Sequence, residues 1–467
     1  MTQLEPVIGL EIHVQLATRT KMFCGCQLSF GEEPNTRTCP VCLGMPGSLP
    51  VTNARAIHFG LMMGMALGSQ IAPRSIFHRK NYFYPDLAKG YQISQYDIPL
   101  CSGGRLGDVR LHRIHLEEDA AKLVHLGESG RIHGSAASIV DYNRGGTPLA
   151  EIVTEPDLRS AEQAREWLNL LRVTLRQLGV SDVNMEEGSL RCDANVSVRP
   201  AGSTTLGTKT ELKNMNSFRF LEKGINAEIE RQTRLVEAGE PVVQETLHFD
   251  PASGRLSSLR SKEEAHDYRY FPEPDLVPVA PTEEMLAAAR EALPELPVAR
   301  VERYERTLPP DTARLFAFEP EWGDYYEAAA AATGAEPRAV ANWVTELRGR
   351  ADSPDRVEPP ALAGLVELVE ARTVTAGNGR VVLDRMVADG GDPADIVARE
   401  DLGAMEDSSE LAGIVARVLE DNPDVVERIR GGNSKAMGAL MGPIMRETKG
   451  KADGGEVNRL IREKLGV

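Results

Sequence analysis

The sequence predicts an α+β fold in which a part of short strands and helices, up to about residue 270, is followed after about residue 295 by helices alone. Three observations carry this prediction. The runs Gly9–Leu16 and Arg191–Val198 alternate strictly between polar and apolar residues, the period of a strand with one buried face. A proline-dense stretch, Phe271-Pro-Glu-Pro-Asp-Leu-Val-Pro278 with Pro294 and Pro297, then breaks the chain. Beyond it, apolar residues recur at helical spacing.

With 467 residues, 42% of them hydrophobic, the chain is too long for one core, and two to four domains are expected. A net charge of −16 excludes a protein that coats nucleic acid indiscriminately and leaves room for a local basic site. The opening residues Met1–Pro6 carry no basic leader. The longest apolar run, Phe59–Gly68, falls far short of the ~20 residues a bilayer span requires. A soluble, cytoplasmic protein without membrane contact is expected.

The first alternating run places Glu11, His13 and Gln15 on one face, and the second places Arg191, Asp193, Asn195 and Ser197 on one face. These are ligand and catalyst types, whereas a merely solvated face usually carries Thr, Lys and mixed charge. Cys24-Gly-Cys26 and Cys39-Pro-Val-Cys42 form two close pairs, a spacing that lets four thiolates converge on one tetrahedral zinc. Gly44 frees the backbone just past the second pair. A redox dithiol is the alternative and would need one pair only. A four-thiolate zinc has no open position, so it supports the fold and not the chemistry. Cys101 and Cys192 read as buried thiols.

Standard nucleotide loops are absent: Gly202–Thr210 approaches a phosphate loop but has Thr208 inserted before Lys209, and no GxGxxG occurs. Oxygen ligands suited to magnesium are nevertheless available in Glu11, the triplet Glu117-Glu118-Asp119, Glu186, Glu187 and Asp193, with Asn195 beside them. The triplet reads equally well as a solvated helix start. Cations able to offset transferred phosphate are Arg79, Lys80, Arg144, Arg191, Lys209, Lys213 and Arg269. The Tyr82 segment could equally be core. No Ser-His-Asp or Cys-His nucleophile is evident.

Downstream, five alanines follow Glu327, and Val340, Trp343, Val344 and Leu347 line one helix face. A capping pattern at Asp407-Ser-Ser-Glu410 opens a final segment, whose last helix buries Val457, Leu460, Ile461 and Leu465. From Gly431 on, seven basic side chains face four acidic ones, an inversion of the overall charge. This fits either a phosphate-contacting tail or an ordinary mixed-charge surface.

The blocks Val7–Leu16, His78–Asp86, Gly90–Gln95, His115–Asp119, Asn143–Leu149, Met185–Asn195, Glu211–Asn214 and Asp267–Asp275 together resemble the B-subunit family of bacterial aspartyl/glutamyl-tRNA(Asn/Gln) amidotransferases. The resemblance runs through the whole chain and is strongest before residue 280. It implies a cradle domain around an antiparallel β-sheet with a zinc knuckle (1–295), an all-α helical domain (296–407) and a small α-helical, tRNA-binding tail (408–467). It implies that ATP and Mg2+ serve to phosphorylate the side-chain carboxylate of Glu on tRNA(Gln) or Asp on tRNA(Asn). Ammonia from a partner amidase, the A subunit, then displaces phosphate, and a small C subunit makes the assembly a heterotrimer.

Carried onto this chain, Glu11, His13 and Glu118 match the family's metal-binding positions, with Asp193 and Glu187 as further candidates. Lys80 and Tyr82 match the segment where the ammonia passage meets the phosphorylation pocket. Arg144, Arg191 and Lys213 are the expected catalytic cations, and Lys435, Lys449, Lys451 and Arg459 the expected tRNA contacts. Ala88 and Ala121 depart from the family's usual Pro and Gly, and Arg372–Arg385 matches poorly. A non-catalytic tRNA-binding adaptor is the alternative function. A zinc hydrolase is another, and it would need an open zinc position.

Overall fold

The computed structural model describes residues 3–29, 31–126, 137–213, 215–250, 253–260, 267–405 and 408–466. They divide into two compact units at Pro297.

The first unit is built on a 13-stranded sheet. Its continuous path comprises β1 (Leu4–Gln15), β2 (Phe77–Asn81), β3 (Tyr91–Gln95), β4 (Val109–Glu118), β5 (Pro148–Thr154), β6 (Leu190–Pro200), β7 (Thr210–Lys213), β8 (Thr246–Asp250), β9 (Arg255–Arg260) and β10 (Phe271–Pro272). The spatial order is β9-β8-β7-β6-β1-β5-β4-β3-β2-β10. Every neighbouring pair is antiparallel except β7 and β8, which run parallel. A parallel pair needs a long crossover, here a 20-residue helix between the two strands. The expected antiparallel sheet therefore has one exception.

Alternation in β1 sends Ile8, Leu10, Ile12 and Val14 to the buried face, and Glu11, His13 and Gln15 to the other. The three longest helices of this unit pack on the apolar side. In α1 (Ala54–Ala66) Asn53 caps the N-terminus by accepting from the amides of Arg55 and Ala56. A side chain at Gly60 would collide with Leu100, so glycine is what lets this helix lie against the sheet. In α2 (Ala161–Gln177) Ser160 caps the amide of Gln163, and Trp167, Leu168, Leu171 and Leu175 form the buried stripe. In α3 (Phe218–Glu237) Leu221 and Ile225 join the same core.

One expectation is corrected here. Glu117 and Glu118 start no helix; they end β4, both buried, and Asp119 directly after them is buried too. Cys101 and Cys192 are buried thiols, as read from the sequence.

The second unit is helical. Pro310–Phe318, Pro320–Ala331, Pro337–Arg348 and Pro359–Glu370 each begin with proline, whose missing amide costs nothing in a first turn. They enclose Phe316, Tyr326, Val344, Leu362 and Leu365, and the stripe Val340, Trp343, Val344 and Leu347 is buried as its spacing predicts. A separate core gathers Leu411, Val415, Ile429, Leu440, Ile444, Val457, Leu460 and Ile461. The helix Ser408–Asp421 follows the expected capping pattern, of which Asp407 lies outside the described residues. Among the described residues no helix is long and apolar enough to cross a membrane.

Two ion clusters yield predictions, one buried and one half-exposed. Fully buried Glu228 on α3 accepts from Thr210 Oγ1 and Gln232 Nε2, both at 2.7 Å, and from Arg231 at 2.8 and 2.9 Å. Gln232 in turn accepts from the Val198 amide at 3.1 Å and donates to the Val196 carbonyl at 3.0 Å, which locks the helix to β6. Glu228→Ala strands these donors and is expected to cost about 3 kcal/mol. The urea midpoint reports this, and an unchanged midpoint would contradict it.

In the helical unit Glu327 accepts from Tyr304 Oη at 2.6 Å, Arg303 at 2.7 Å and Arg300 at 2.9 Å. Burial opposes its ionisation, but these donors prevail and hold its pKa at about 2, below the ordinary 4.5. The stabilisation is complete above pH 4.5 and drains as pH falls through about 2. Because the carboxylate is 41% exposed, its worth at pH 7 is about 1 kcal/mol or less. Glu327→Gln should therefore lower amide-exchange protection of Pro320–Ala331 at pH 7 and match the parent more closely at pH 3. An equal deficit at both pH values would refute the assignment.

Candidate active site

The register of the central strands assembles one polar face. β1 pairs with β6 so that Glu11 lies opposite Asp193 and His13 opposite Arg191. On its other side β1 meets β5 with His13 opposite Glu151, and β5 meets β4 with Glu151 opposite His115. Asn195 lies opposite Glu211 of β7. Strand alternation then gives one row of ligand-type side chains running across β4, β5, β1, β6 and β7.

At its centre His13 Nε2 lies 3.5 Å from Glu151, 3.8 Å from Glu117 and 3.9 Å from Glu11. His115 Nε2 lies 3.3 Å from Glu151 and 3.7 Å from Glu117. Ser94 Oγ donates to Glu117 at 2.9 Å. Ligand atoms of Glu11, His13 and Glu151 all fall within 4.8 Å of one another, and so do those of His115, Glu117 and Glu151. Carboxylates with imidazole at this spacing suit a hard or borderline divalent cation.

The electrostatics reflect crowded negative charge. Burial alone would strip the imidazoles of protons, but Glu151 and Glu117 overcome it, raising His13 and lifting His115 to about 9. Glu151 is likewise held far below the carboxylate range, despite burial, by His115 and His13. Glu11 is pushed up by burial and by Glu151. A proton and a metal ion are competing answers to the same excess of carboxylate charge.

Fixed cations border the row. Lys213 Nζ bridges Glu211 at 3.0 Å and Asp193 at 3.2 Å, and those two carboxylates keep it protonated against burial. Arg191 meets Asp119 at 2.9 Å, and Gln15 donates to the same carboxylate at 2.7 Å. Despite burial, Arg191 and Arg144 lower the Asp119 pKa. Arg144 is anchored on the carbonyls of Ala120 and Ala121, at 2.9 Å each. Lys80 Nζ sits 4.9 Å from the Tyr268 ring centre, and Tyr82, 6.0 Å from that ring, is raised by burial and by nearby acidic groups including Glu117.

Two expected ligands stand apart from this row. Glu118 alternates to the opposite face of β4, where it pairs with Lys89 and accepts from the Ile93 amide at 2.9 Å. Glu187 is exposed in the turn before β6, with no contact to the row among the described residues. In their place the structure brings Glu151, Glu117 and His115. A signal for each existed: Glu151 is a lone acid within the apolar run Pro148–Thr154, and His115, Glu117 and Asp119 alternate as a strand does.

On the other side of β4 the sulfurs of Cys24, Cys26, Cys39 and Cys42 lie within 4.8 Å of one another. The Cys39 amide donates to Cys42 Sγ at 3.2 Å, and Gly44 has φ +67, the freedom its place in the turn requires. Four soft donors at this spacing fit a tetrahedral zinc.

The tail candidates differ in their surroundings. Lys451 pairs with Asp401 at 2.6 Å, and Arg459 with Glu456 at 2.6 Å and Glu463 at 2.8 Å. Lys435 and Lys449 are exposed, and among the described residues no carboxylate pairs with them.

The GatB/GatE catalytic domain profile matches residues 6–287, and the GatB domain profile matches residues 324–465. The chain is 49% identical to the B subunit of the aspartyl/glutamyl-tRNA(Asn/Gln) amidotransferase from Anaeromyxobacter sp. (strain K), covering 100% of this chain and 99% of that protein. It is 46% identical to the protein of the same name from Persephonella marina, over 99% of this chain and 100% of that one. To the Geobacter sulfurreducens protein of that name it is 48% identical, over 99% of each. With both profiles and the full-length similarity in agreement, the chain belongs to the family of aspartyl/glutamyl-tRNA(Asn/Gln) amidotransferase B subunits.

Proposed function

We propose that this chain is the part of a glutamine-dependent ligase that phosphorylates and then amidates the amino acid carried by a mischarged tRNA. The γ-phosphoryl group of ATP passes to a side-chain carboxylate oxygen of Glu on tRNA(Gln) or Asp on tRNA(Asn), and ADP leaves. Ammonia then attacks the carbonyl carbon, the C–O bond to phosphate breaks, and the amide remains after loss of a proton. A free carboxylate is a poor acyl donor to ammonia, so phosphate must first become its leaving group. The observation that carries this reading is the buried row of carboxylates and imidazoles bordered by fixed cations. Such a row is costly to bury for an idle adaptor.

Phosphoryl transfer asks a protein mainly for positioning and charge. Glu11, His13 and Glu151 would hold Mg2+, which supplies charge neutralisation to phosphate oxygens, while Asp193 and Asn195 lie beside them on β6. Lys213 and Arg191, each tied to a carboxylate, are held rigid at the rim and face incoming phosphate without a cost in reorganisation. Arg144 fixes the loop after β4 through two carbonyls and steadies Asp119. Lys80 and Tyr82 lie where ammonia would arrive, and their aromatic surroundings limit competing water.

Ammonia would come from glutamine through the amidase, the A subunit, and with the small C subunit the three chains would form a cytoplasmic heterotrimer. This accounts for the missing nucleophile. The four cysteines would hold a structural zinc. Residues 1–295 would carry catalysis, 296–407 would form the connecting helical domain, and 408–467 would contact tRNA.

Two experiments test this in the reconstituted heterotrimer. Glu151→Gln and Glu11→Gln should each lower amidation of Glu-tRNA(Gln) or Asp-tRNA(Asn) at least ~100-fold, with the partner's glutamine hydrolysis retained, because only phosphate handling is lost. Equal loss of both activities, or full amidation, would refute the assignment. In the tail, replacing Lys435 and Lys449 together by alanine should weaken tRNA binding and reduce the slope of log affinity against log salt by about 2. Replacing Lys451 and Arg459, already neutralised by carboxylates, should change the slope less. The reverse ranking would remove Lys435 and Lys449 from the interface.

A further inference from the structure

Lys21 is one of the most deeply buried residues in the protein, 1% exposed, yet among the described residues no carboxylate pairs with it. Its ammonium donates to the Tyr142 carbonyl at 3.0 Å and lies 3.8 Å from Cys42 Sγ. An ammonium removed from water needs a counter-charge, and a lone carbonyl provides only a partial one. The neighbouring cation Lys89, on the wall of the same cavity of about 190 Å³, has its own carboxylate in Glu118. The remaining acid on that wall, Asp275, lies 3.5 Å from Arg79, so no acid there pairs with Lys21.

The position is fixed by its surroundings. The Lys21 amide donates to the Cys26 carbonyl at 3.0 Å, and Asn53 Nδ2 donates to the Lys21 carbonyl at 3.2 Å. A side chain at Gly146, where φ is +88, would press on the Lys21 stem 3.3 Å away. The Met22 amide donates to the Gly146 carbonyl at 2.7 Å, closing the loop of residues 142–146 over the lysine. Both ends of the side chain are thus held, and its head is aimed between the loop and the sulfurs.

Four neutral thiols would give this ammonium no anion. Four thiolates around a divalent metal carry a net double negative charge, which a buried cation at the outer edge of the sulfur shell would offset. We propose that Lys21 is the counter-charge of a four-thiolate metal centre and sets how firmly that centre retains its metal. This rests on the reading of Cys24, Cys26, Cys39 and Cys42 as zinc ligands, and it adds a residue outside the ligand set. Lys21 points toward Cys42 Sγ, where its fixed positive charge lies beside the sulfur shell.

The test uses the full-length chain in its complex, with zinc content and release to a chromogenic chelator as readouts. Lys21→Gln keeps a donor for the Tyr142 carbonyl and removes the charge, and Lys21→Met serves if the glutamine variant does not fold. Release should quicken about 10- to 100-fold. Thermal unfolding with and without prior chelation closes the cycle: the variant melts below the parent when zinc is bound, and the gap closes or reverses once zinc is removed. A lysine that only braces Tyr142 would show the same gap in both states. An unchanged release rate with an unchanged gap overturns the role of Lys21, whereas a parent protein that binds no zinc overturns the metal reading beneath it.

Discussion

The pairing of β1 with β5 and β6 is the constraint on which the rest depends. Its register brings Glu11 to Asp193 and His13 to both Glu151 and Arg191. A strand's side-chain period is two residues, so a slip by one would send these groups into the hydrophobic core and Ile12 and Val14 to the polar side. The apolar face prevents that slip. Ile8, Leu10, Ile12 and Val14 lie in one buried core with Trp167, Leu168 and Leu171 of α2, and the energy of that burial holds a costly collection of charges in place.

Those charges are tolerated because they are balanced within a few ångströms. Two imidazoles serve the central carboxylates, Lys213 serves Asp193 and Glu211, and Arg191 serves Asp119. β4 divides the labour between its two sides. Glu117 joins the row of carboxylates and imidazoles, while adjacent Glu118 turns toward Lys89 and the cavity beside the cysteines. One strand thereby separates a set of oxygen and imidazole donors from a set of sulfur donors, which differ in the metals they favour.

The fold was legible where a single period ruled. β1, β6 and the helix Pro337–Arg348 follow their apolar patterns, and the four cysteines gather as their spacing requires. The parallel β7–β8 pair was not legible, since strand direction depends on a distant crossover and not on local pattern. The polar row was half legible. Glu11, His13, Asp193 and Arg191 share the face that alternation assigns them. Glu118 and Glu187 do not, because a run of adjacent acids hides which of them points where until the strand is known. Glu151 went unnoticed because a lone acid in an apolar strand carries no motif, although burying one without a partner is so unfavourable that its presence is itself a signal.

The most direct measurement is anomalous diffraction from crystals of the complex soaked with Mn2+ and a non-hydrolysable ATP analogue. The account predicts a manganese peak within ligand distance of Glu11, His13 and Glu151, with the nucleotide phosphates toward Arg191 and Lys213. Manganese on the Glu118 side of β4, with none on the polar row, would contradict it.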